Sequence, residues 1–285
     1  MNRYGLLCRC ILEHPDATQR ELASMLEVSL GTVNTLIKEC MASSYLVTSP
    51  EGNYQLTEAG MTFLEPFRVD AALIIAAGFG SRFVPLTFET PKGLLEVFGE
   101  RMIERQIKQL HAVGITDITI VVGYLKEKFE YLIDKYGVKL LYNPEYSCKN
   151  TLATVYHAKE VLRGRNVYLL SSDNWMRDNM FHTYECFGWY SSVFMDGPTS
   201  EWWLLIRREG FQNGVSLLIR RDILPEAVLA AMTVGLCMAP SSSLRRFPNS
   251  FCRFWSPTIR LAEPNSFIGS RFIRICWMVK QNTGF

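Results

Sequence analysis

One stretch constrains this chain more than any other: Ala71 to Leu95, AALIIAAGFGSRFVPLTFETPKGLL. The apolar run from Ala71 to Ala77 predicts a strand buried on both faces. It runs into Gly78-Phe79-Gly80-Ser81-Arg82. A turn of this kind is rich in backbone N–H groups and short of side chains, so the main chain can approach an anion closely. Arg82 adds a planar fork of donors that matches phosphate oxygens. Lys92 follows Pro91, which stiffens the loop, and supplies a second, point-like positive charge. A glycine turn after a strand, with two cations, points to a triphosphate site. Taken alone, Gly-x-Gly is also compatible with an ordinary strand–turn–helix connection.

The rest of the middle of the chain alternates. Arg101 to Val113 has an amphipathic helical pattern, and Asp117 to Val122 reads as a buried strand ending at Gly123-Tyr124. Leu125 to Tyr136 reads as helix, Val138 to Tyr142 as strand, Asn150 to Leu162 as helix and Asn166 to Leu170 as strand. Such alternation predicts an α/β fold, a Rossmann-like mixed, mostly parallel sheet with helices on its faces. Ligands of such sheets gather at the carboxyl ends of the strands. The glycine turn, Gly123-Tyr124 and Asp173-Asn174 all fall there. Asp173 has two readings from position alone. It is either a carboxylate for Mg²⁺ against phosphate oxygens or the N-cap of a helix over Met176 to Phe181. Asn150 and Thr151 likewise either meet a base edge or cap a helix.

Upstream, Met1 to about Arg68 reads as three helices, a short hairpin around Pro50-Glu51-Gly52-Asn53 and a last helix from Thr57. The order resembles a winged helix-turn-helix domain of small bacterial regulators. DNA binding through Gly31 to Glu39 is the functional expectation of such a domain. The charges oppose it: residues 1–68 carry five basic and eight acidic side chains, and DNA affinity rests largely on phosphate neutralisation. DNA is therefore a secondary expectation, behind a packing or regulatory role.

Net charge is +2 over 285 residues, which argues against a general polyanion binder. The eight cysteines include no CxxC pair, so neither a zinc site nor a disulfide framework is expected. Idle thiols suit a reducing cytoplasm. No secretion signal or membrane span is expected, because the apolar run Leu229 to Pro240 is too short to cross a bilayer. The four histidines lack metal spacing.

The full string Gly78-x-Gly80-Ser81-Arg82-Phe83, Pro85-Leu86-Thr87 and Pro91-Lys92 resembles the nucleotide-binding loop of nucleotidyltransferases that make sugar and choline nucleotides. Val122-Gly123-Tyr124-Leu125, Phe129-Glu130-Tyr131-Leu132, Tyr142-Asn143 and Glu145-Tyr146 narrow the resemblance to bacterial CTP:phosphocholine cytidylyltransferases. The likeness runs from Ala71 to Trp202. It implies a CTP site at Gly78, Gly80, Ser81, Arg82 and Lys92, and Ala77, Asn150 and Thr151 complete the expected nucleotide-binding set. Arg82 and Lys92 become the catalytic cations, and Asp173 a ligand of the Mg²⁺ cofactor. Glu201-Trp202 faces the choline. An indole face suits a quaternary ammonium, which has no hydrogen to donate, whereas plain core packing is the other role open to the indoles of Trp202 and Trp203. The partners implied are CTP and a phosphorylated small alcohol. A sugar-1-phosphate nucleotidyltransferase and a nucleotide-sensing DNA-binding regulator are the alternatives.

The expected division is a winged helix over 1–68, an incomplete nucleotidyltransferase core over 69–204 and an aberrant segment, frameshifted or poorly ordered, over 205–285. Composition shifts there to ten arginines, from Arg207 to Arg274, against one lysine and four acids. The family's Gly-Trp-x-Met-Tyr-Gly-Pro and Tyr-Trp-acid segments are missing. Suitable synonymous codons for Ala231 to Ser243, read from the third codon position, give His-Asp-Gly-Trp-Phe-Met-Tyr-Gly-Pro-Val-Phe-Phe. The same frame over Glu263 to Trp277 gives Glu-Gln-Phe-Tyr-Trp-Glu-Gln-Val-Tyr-Pro-Asp-Met-Leu. Both segments return in one frame, so a frameshift somewhere after about Trp202 is expected.

Overall fold

The structure, a computed structural model, describes residues 2–149, 151–195, 203–209, 214–220, 228–237, 257–259 and 275–277, with side chains described up to Trp189 except Leu152. The chain divides into two compact units. The first comprises Met1–Arg68 together with Tyr184–Phe187, and the second comprises the rest.

The first unit opens with helices α1 (Arg3–Glu13), α2 (Gln19–Leu26) and α3 (Leu30–Ala42). Each start is dictated locally. Asn2 accepts from the Gly5 amide, Thr18 and Glu21 form a reciprocal capping box, and Ser29 accepts from the Thr32 amide. Strands β1 (Leu46–Thr48) and β2 (Tyr54–Leu56) pair antiparallel as the wing, and α4 (Glu58–Leu64) follows, capped by Thr57. Leu7, Leu22, Val33, Leu46 and Leu64 are sealed in the core. A side chain could not replace Gly60, whose Cβ would lie 2.2 Å from the Tyr45 carbonyl oxygen.

A charge sits inside this core. Arg9 lies on the buried face of α1, and its guanidinium meets Glu185 at 2.7 Å, with both side chains at most 3% exposed. The same nitrogen donates to the Tyr184 carbonyl at 3.2 Å, and the Glu185 amide donates to the Phe67 carbonyl at 2.7 Å. The winged helix is thus completed by a strap from far downstream. Burial opposes the charge on Arg9, and the carboxylate of Glu185 restores it.

The second unit is built on a mixed sheet. Strands β3 (Ala71–Ala76), β6 (Ile118–Val122), β7 (Lys139–Tyr142) and β8 (Val167–Ser171) run parallel in the order β8-β3-β6-β7. The short hairpin β4 (Glu96–Val97) and β5 (Glu100–Arg101) lies between β3 and helix α5 (Met102–Ala112). Helices α6 (Tyr131–Tyr136), α7 (Thr151–His157) and α8 (Lys159–Leu162) lie on the other connections. Ile74 stands opposite Ile120 on one side and Leu170 on the other, and all three are buried. Beyond β8 the sheet turns antiparallel. Strand β12 (Val228–Cys237) pairs with β8, β9 (Tyr190–Met195) and β10 (Trp203–Glu209), and β10 pairs with β11 (Gly214–Arg220). Strands β13 (Pro257–Ile259) and β14 (Ile275–Trp277) form a separate antiparallel pair.

Three sequence expectations are corrected. Leu125 to Tyr136 is not one helix, because Leu125 is left-handed at φ 48° and the chain makes a 3-10 turn before α6. Asn150 to Leu162 is two helices in its described part, broken at Ala158. No helix forms over Met176 to Phe181, so Asp173 caps nothing there.

Glu185→Gln leaves the Arg9 guanidinium buried without a counter-charge and is expected to lower stability by about 3–5 kcal/mol. The Arg9→Met, Glu185→Leu double variant recovers most of that loss. Denaturant melts of the full chain decide it, and a Glu185→Gln midpoint equal to the wild type's contradicts the role given to the pair.

Candidate active site

The candidate site lies at the carboxyl ends of β3 and β8. At the end of β3, the Ala77 carbonyl accepts the Tyr124 amide at 3.2 Å, which fixes the direction in which the glycine turn leaves the sheet. Gly80 is left-handed at φ 64° and opens a 3-10 turn over Ser81–Phe83. Its carbonyl accepts the Phe83 amide at 2.9 Å and the Thr87 hydroxyl at 2.9 Å. A Cβ at Gly80 would lie 3.0 Å from Thr87 and 3.3 Å from the Cβ of Lys92. Glycine is therefore required there for both backbone angle and close approach. Gly78, Ser81 and Arg82 share this turn, and Ser81 and Arg82 are exposed.

The segment after Pro91 folds back to the end of β8. A Cβ on Gly93 would lie 2.7 Å from that of Ser172, so the two segments touch backbone to side chain. This contact delivers Lys92 to Asp173, with Nζ 2.5 Å from Oδ2. The Ser171 hydroxyl donates to Oδ1 of the same carboxylate. The Lys92 ammonium also lies 4.5 Å from the centre of the Phe83 ring. Burial pushes the Asp173 carboxyl up, but the hydrogen bonds from Lys92 and Ser171 outweigh it and hold the group below its usual range. Asp173 is thus an ionised carboxylate, and Lys92 is its direct partner.

Further side chains build the site, among them Gln106, which sequence reasoning passed over. Gln106 is buried on α5, and its Nε2 donates to the carbonyls of Ser171 at 2.9 Å and Asn174 at 2.6 Å. It bridges the loop that carries Asp173. The available signal was a polar residue inside the apolar stripe of α5. Asn143 is fully buried at the end of β7, donates to Thr154 at 3.0 Å and accepts the Glu145 amide at 2.9 Å. It ties the loop after β7 to α7. Phe79, Tyr124 and Tyr146 form an aromatic cluster, with Phe79 5.2 Å from each of the other ring centres. Tyr146 packs on Gly123, where a Cβ would come within 2.6 Å of it.

Thr151 begins α7, whereas Asn150, Glu201 and Trp202 lie outside the described residues. Among the described residues no three His, Cys, Asp or Glu side chains form a metal cage. One ionised carboxylate nevertheless fits a magnesium site completed by substrate phosphates, since Mg²⁺ commonly takes one or two carboxylates and keeps the remainder for phosphate and water.

A separate open hollow of about 660 Å³ is lined by Glu96, Glu100, Arg101, Glu104, Lys108 and Lys135. Its charges satisfy one another. Glu104 accepts from Tyr131 at 2.8 Å, Lys135 at 2.6 Å and Tyr136 at 2.7 Å. Burial raises its carboxyl, and these donors bring it down to about 2.

Residues 71–188 match the Nucleotidyl transferase family and residues 6–47 match the winged helix-turn-helix DNA-binding family. The structure of the CTP:phosphocholine cytidylyltransferase from Streptococcus pneumoniae superposes with a TM-score of 0.53 at 39% identity, over 61% of this chain and 72% of that one. The chain belongs to the nucleotidyl transferase family and carries a winged helix-turn-helix region at its N-terminal end. Among curated relatives it is 44% identical over 134 residues to a choline-phosphate cytidylyltransferase of S. pneumoniae, covering 47% of this chain and 58% of that one. It is 39% identical over 133 residues to a 2-aminoethylphosphonate cytidylyltransferase of Lancefieldella rimae, covering 46% and 54%. The chain therefore spans little more than half the length of these relatives. Among the described residues no helix is long and apolar enough to cross a membrane.

An unfolded glutamate titrates near about 4.3, and folded Glu104 near 2. The stability it contributes is thus present above the higher value and is lost as pH falls through the lower one. Glu104→Gln is expected to melt below the wild type at neutral pH, with the gap closing in acid as the wild-type carboxyl protonates. Parallel melting curves at every pH contradict this.

Proposed function

We propose that the chain transfers CMP from CTP to phosphocholine or a similar phospho-alcohol and releases pyrophosphate. The observation that carries this reading is the meeting of Lys92 and Asp173 beside the glycine turn. A glycine turn, a cation and an ionised carboxylate share one end of the sheet. The relatives' substrates support the cytidylyl donor and the phosphorylated acceptor.

In this reading the amides of the turn over Ala77, Gly78, Gly80 and Ser81 hold the triphosphate, and Arg82 and Lys92 neutralise charge on the departing pyrophosphate. An acceptor phosphate oxygen attacks the α-phosphorus as the bond to the β-phosphate oxygen breaks. That oxygen is already ionised, so no side chain has to remove a proton. Positioning and charge neutralisation then supply the catalysis. Asp173 would hold Mg²⁺, whose chemistry is to draw charge from the phosphate oxygens. Asn150 and Thr151 are assigned to the base, and Glu201 and Trp202 to the acceptor's cation.

The winged helix is assigned a packing or regulatory role. Its sequence is acidic over residues 1–68, and one of its five basic residues, Arg9, is spent inside the core on Glu185. We also infer that the segment from about residue 205 is read out of frame. The family's second metal-binding acid, after Tyr-Trp, is consequently absent from this chain, and turnover is reduced.

Labelled CTP with phosphocholine, scored for pyrophosphate release, tests the reading. The wild type is expected to prefer phosphocholine over a sugar 1-phosphate, and Asp173→Asn to lose about a hundredfold or more of the activity. Preference for the sugar phosphate, or full activity in Asp173→Asn, overturns it. A frame-restored chain assayed alongside is expected to turn over faster. Resequencing that finds the present frame intact, with no gain on restoration, ends the frameshift.

A further inference from the structure

Both oxygens of Asp173 are engaged by the protein itself. Oδ1 accepts the Ser171 hydroxyl, and Oδ2 holds the Lys92 ammonium at 2.5 Å. We propose that Lys92 is a place-holder for the divalent cation, so that metal loads onto Asp173 only when a nucleoside triphosphate draws the lysine away. The proposal rests on the nucleotide-binding reading above.

The charges argue for exchange rather than sharing. The ammonium neutralises the carboxylate where it stands, and the two side chains are only 21% and 25% exposed. A dication brought to the same oxygen meets a positive charge within a few ångström, incompletely screened by water. It gains little unless Lys92 leaves. Lysine suits such a move, being a compact charge on a flexible four-carbon stem. Its destination is prepared. The Lys92 Cβ sits against Gly80 of the phosphate turn, so its backbone need not shift for the head to reach an anion held there. The Phe83 ring, 4.5 Å from Nζ, offers a favourable face close to the ammonium. Triphosphate oxygens carry more charge than one carboxylate and compete well for the ammonium. Metal and nucleotide affinities are then coupled, and reciprocally so.

Binding of Mn²⁺ alone to the full chain, followed by its electron paramagnetic resonance signal without nucleotide, tests this. Lys92→Met frees Asp173 and is expected to bind Mn²⁺ tighter than the wild type by about tenfold or more. The gain vanishes in the Lys92→Met, Asp173→Asn double variant. Lys92→Gln, which keeps a polar head without the charge, behaves like Lys92→Met and stands in for it should the methionine variant fold poorly. Equal or weaker Mn²⁺ binding in both lysine variants overturns the proposal. So does a gain that survives Asp173→Asn. A separate titration of the wild type with CTP in chelator reports on the nucleotide-binding reading. Failure to bind CTP sinks that reading, whereas the Mn²⁺ comparison alone judges the lysine.

Discussion

The contact between Lys92 and Asp173 is the constraint on which the site depends. It joins two loops that leave different strands, one after β3 and one after β8. It survives only because Gly93 lets those loops meet at Ser172, while Gly80 lets the first loop fold back against its own Lys92. A side chain at position 93 forces the two segments apart. The parallel sheet supplies the rigid base, with Ile74 and Leu170 side by side in the buried core. The loops supply the chemistry above it. Gln106 then fixes the carbonyls on both sides of Asp173, so that the carboxylate is aimed by a helix as well as by its own strand.

The winged helix shows the same dependence on distant chain. Its helices start on their own caps, among them Thr18, Ser29 and Thr57. Its core is another matter. Arg9 lies where an apolar residue would ordinarily lie, and it is tolerated because Glu185 arrives from 176 positions later. A buried pair of this kind contributes less to stability than its geometry suggests, but it ties the unit to one partner segment. No periodicity within residues 1–68 announces it.

Local order was legible in the sequence. The run Ala71 to Ala77 gave a strand, and Gly78 to Arg82 gave a turn, because both are set by burial and backbone freedom within a few residues. Lys92 and Asp173 were expected at one site, but not their direct pairing, which depends on the fold closing over 81 positions. Gln106 was hidden because a polar residue within the buried stripe of a helix has no local signature of what it meets. The unbroken helix expected over Leu125 to Tyr136 failed at Leu125, whose left-handed backbone no composition rule marks. Of the two readings of Asp173, capping has no helix to cap, and the carboxylate turns to Lys92 and Ser171.

The central claim is that the turn around Gly80 and the loop around Lys92 close on one triphosphate. Amide hydrogen exchange of the full chain, with and without CTP, addresses it most directly. The claim predicts slowed exchange in residues 78–83, 92–94 and 171–174, the segments that would hold or flank the phosphates. Slowing elsewhere with none in these three segments, or no change at saturating CTP, contradicts it.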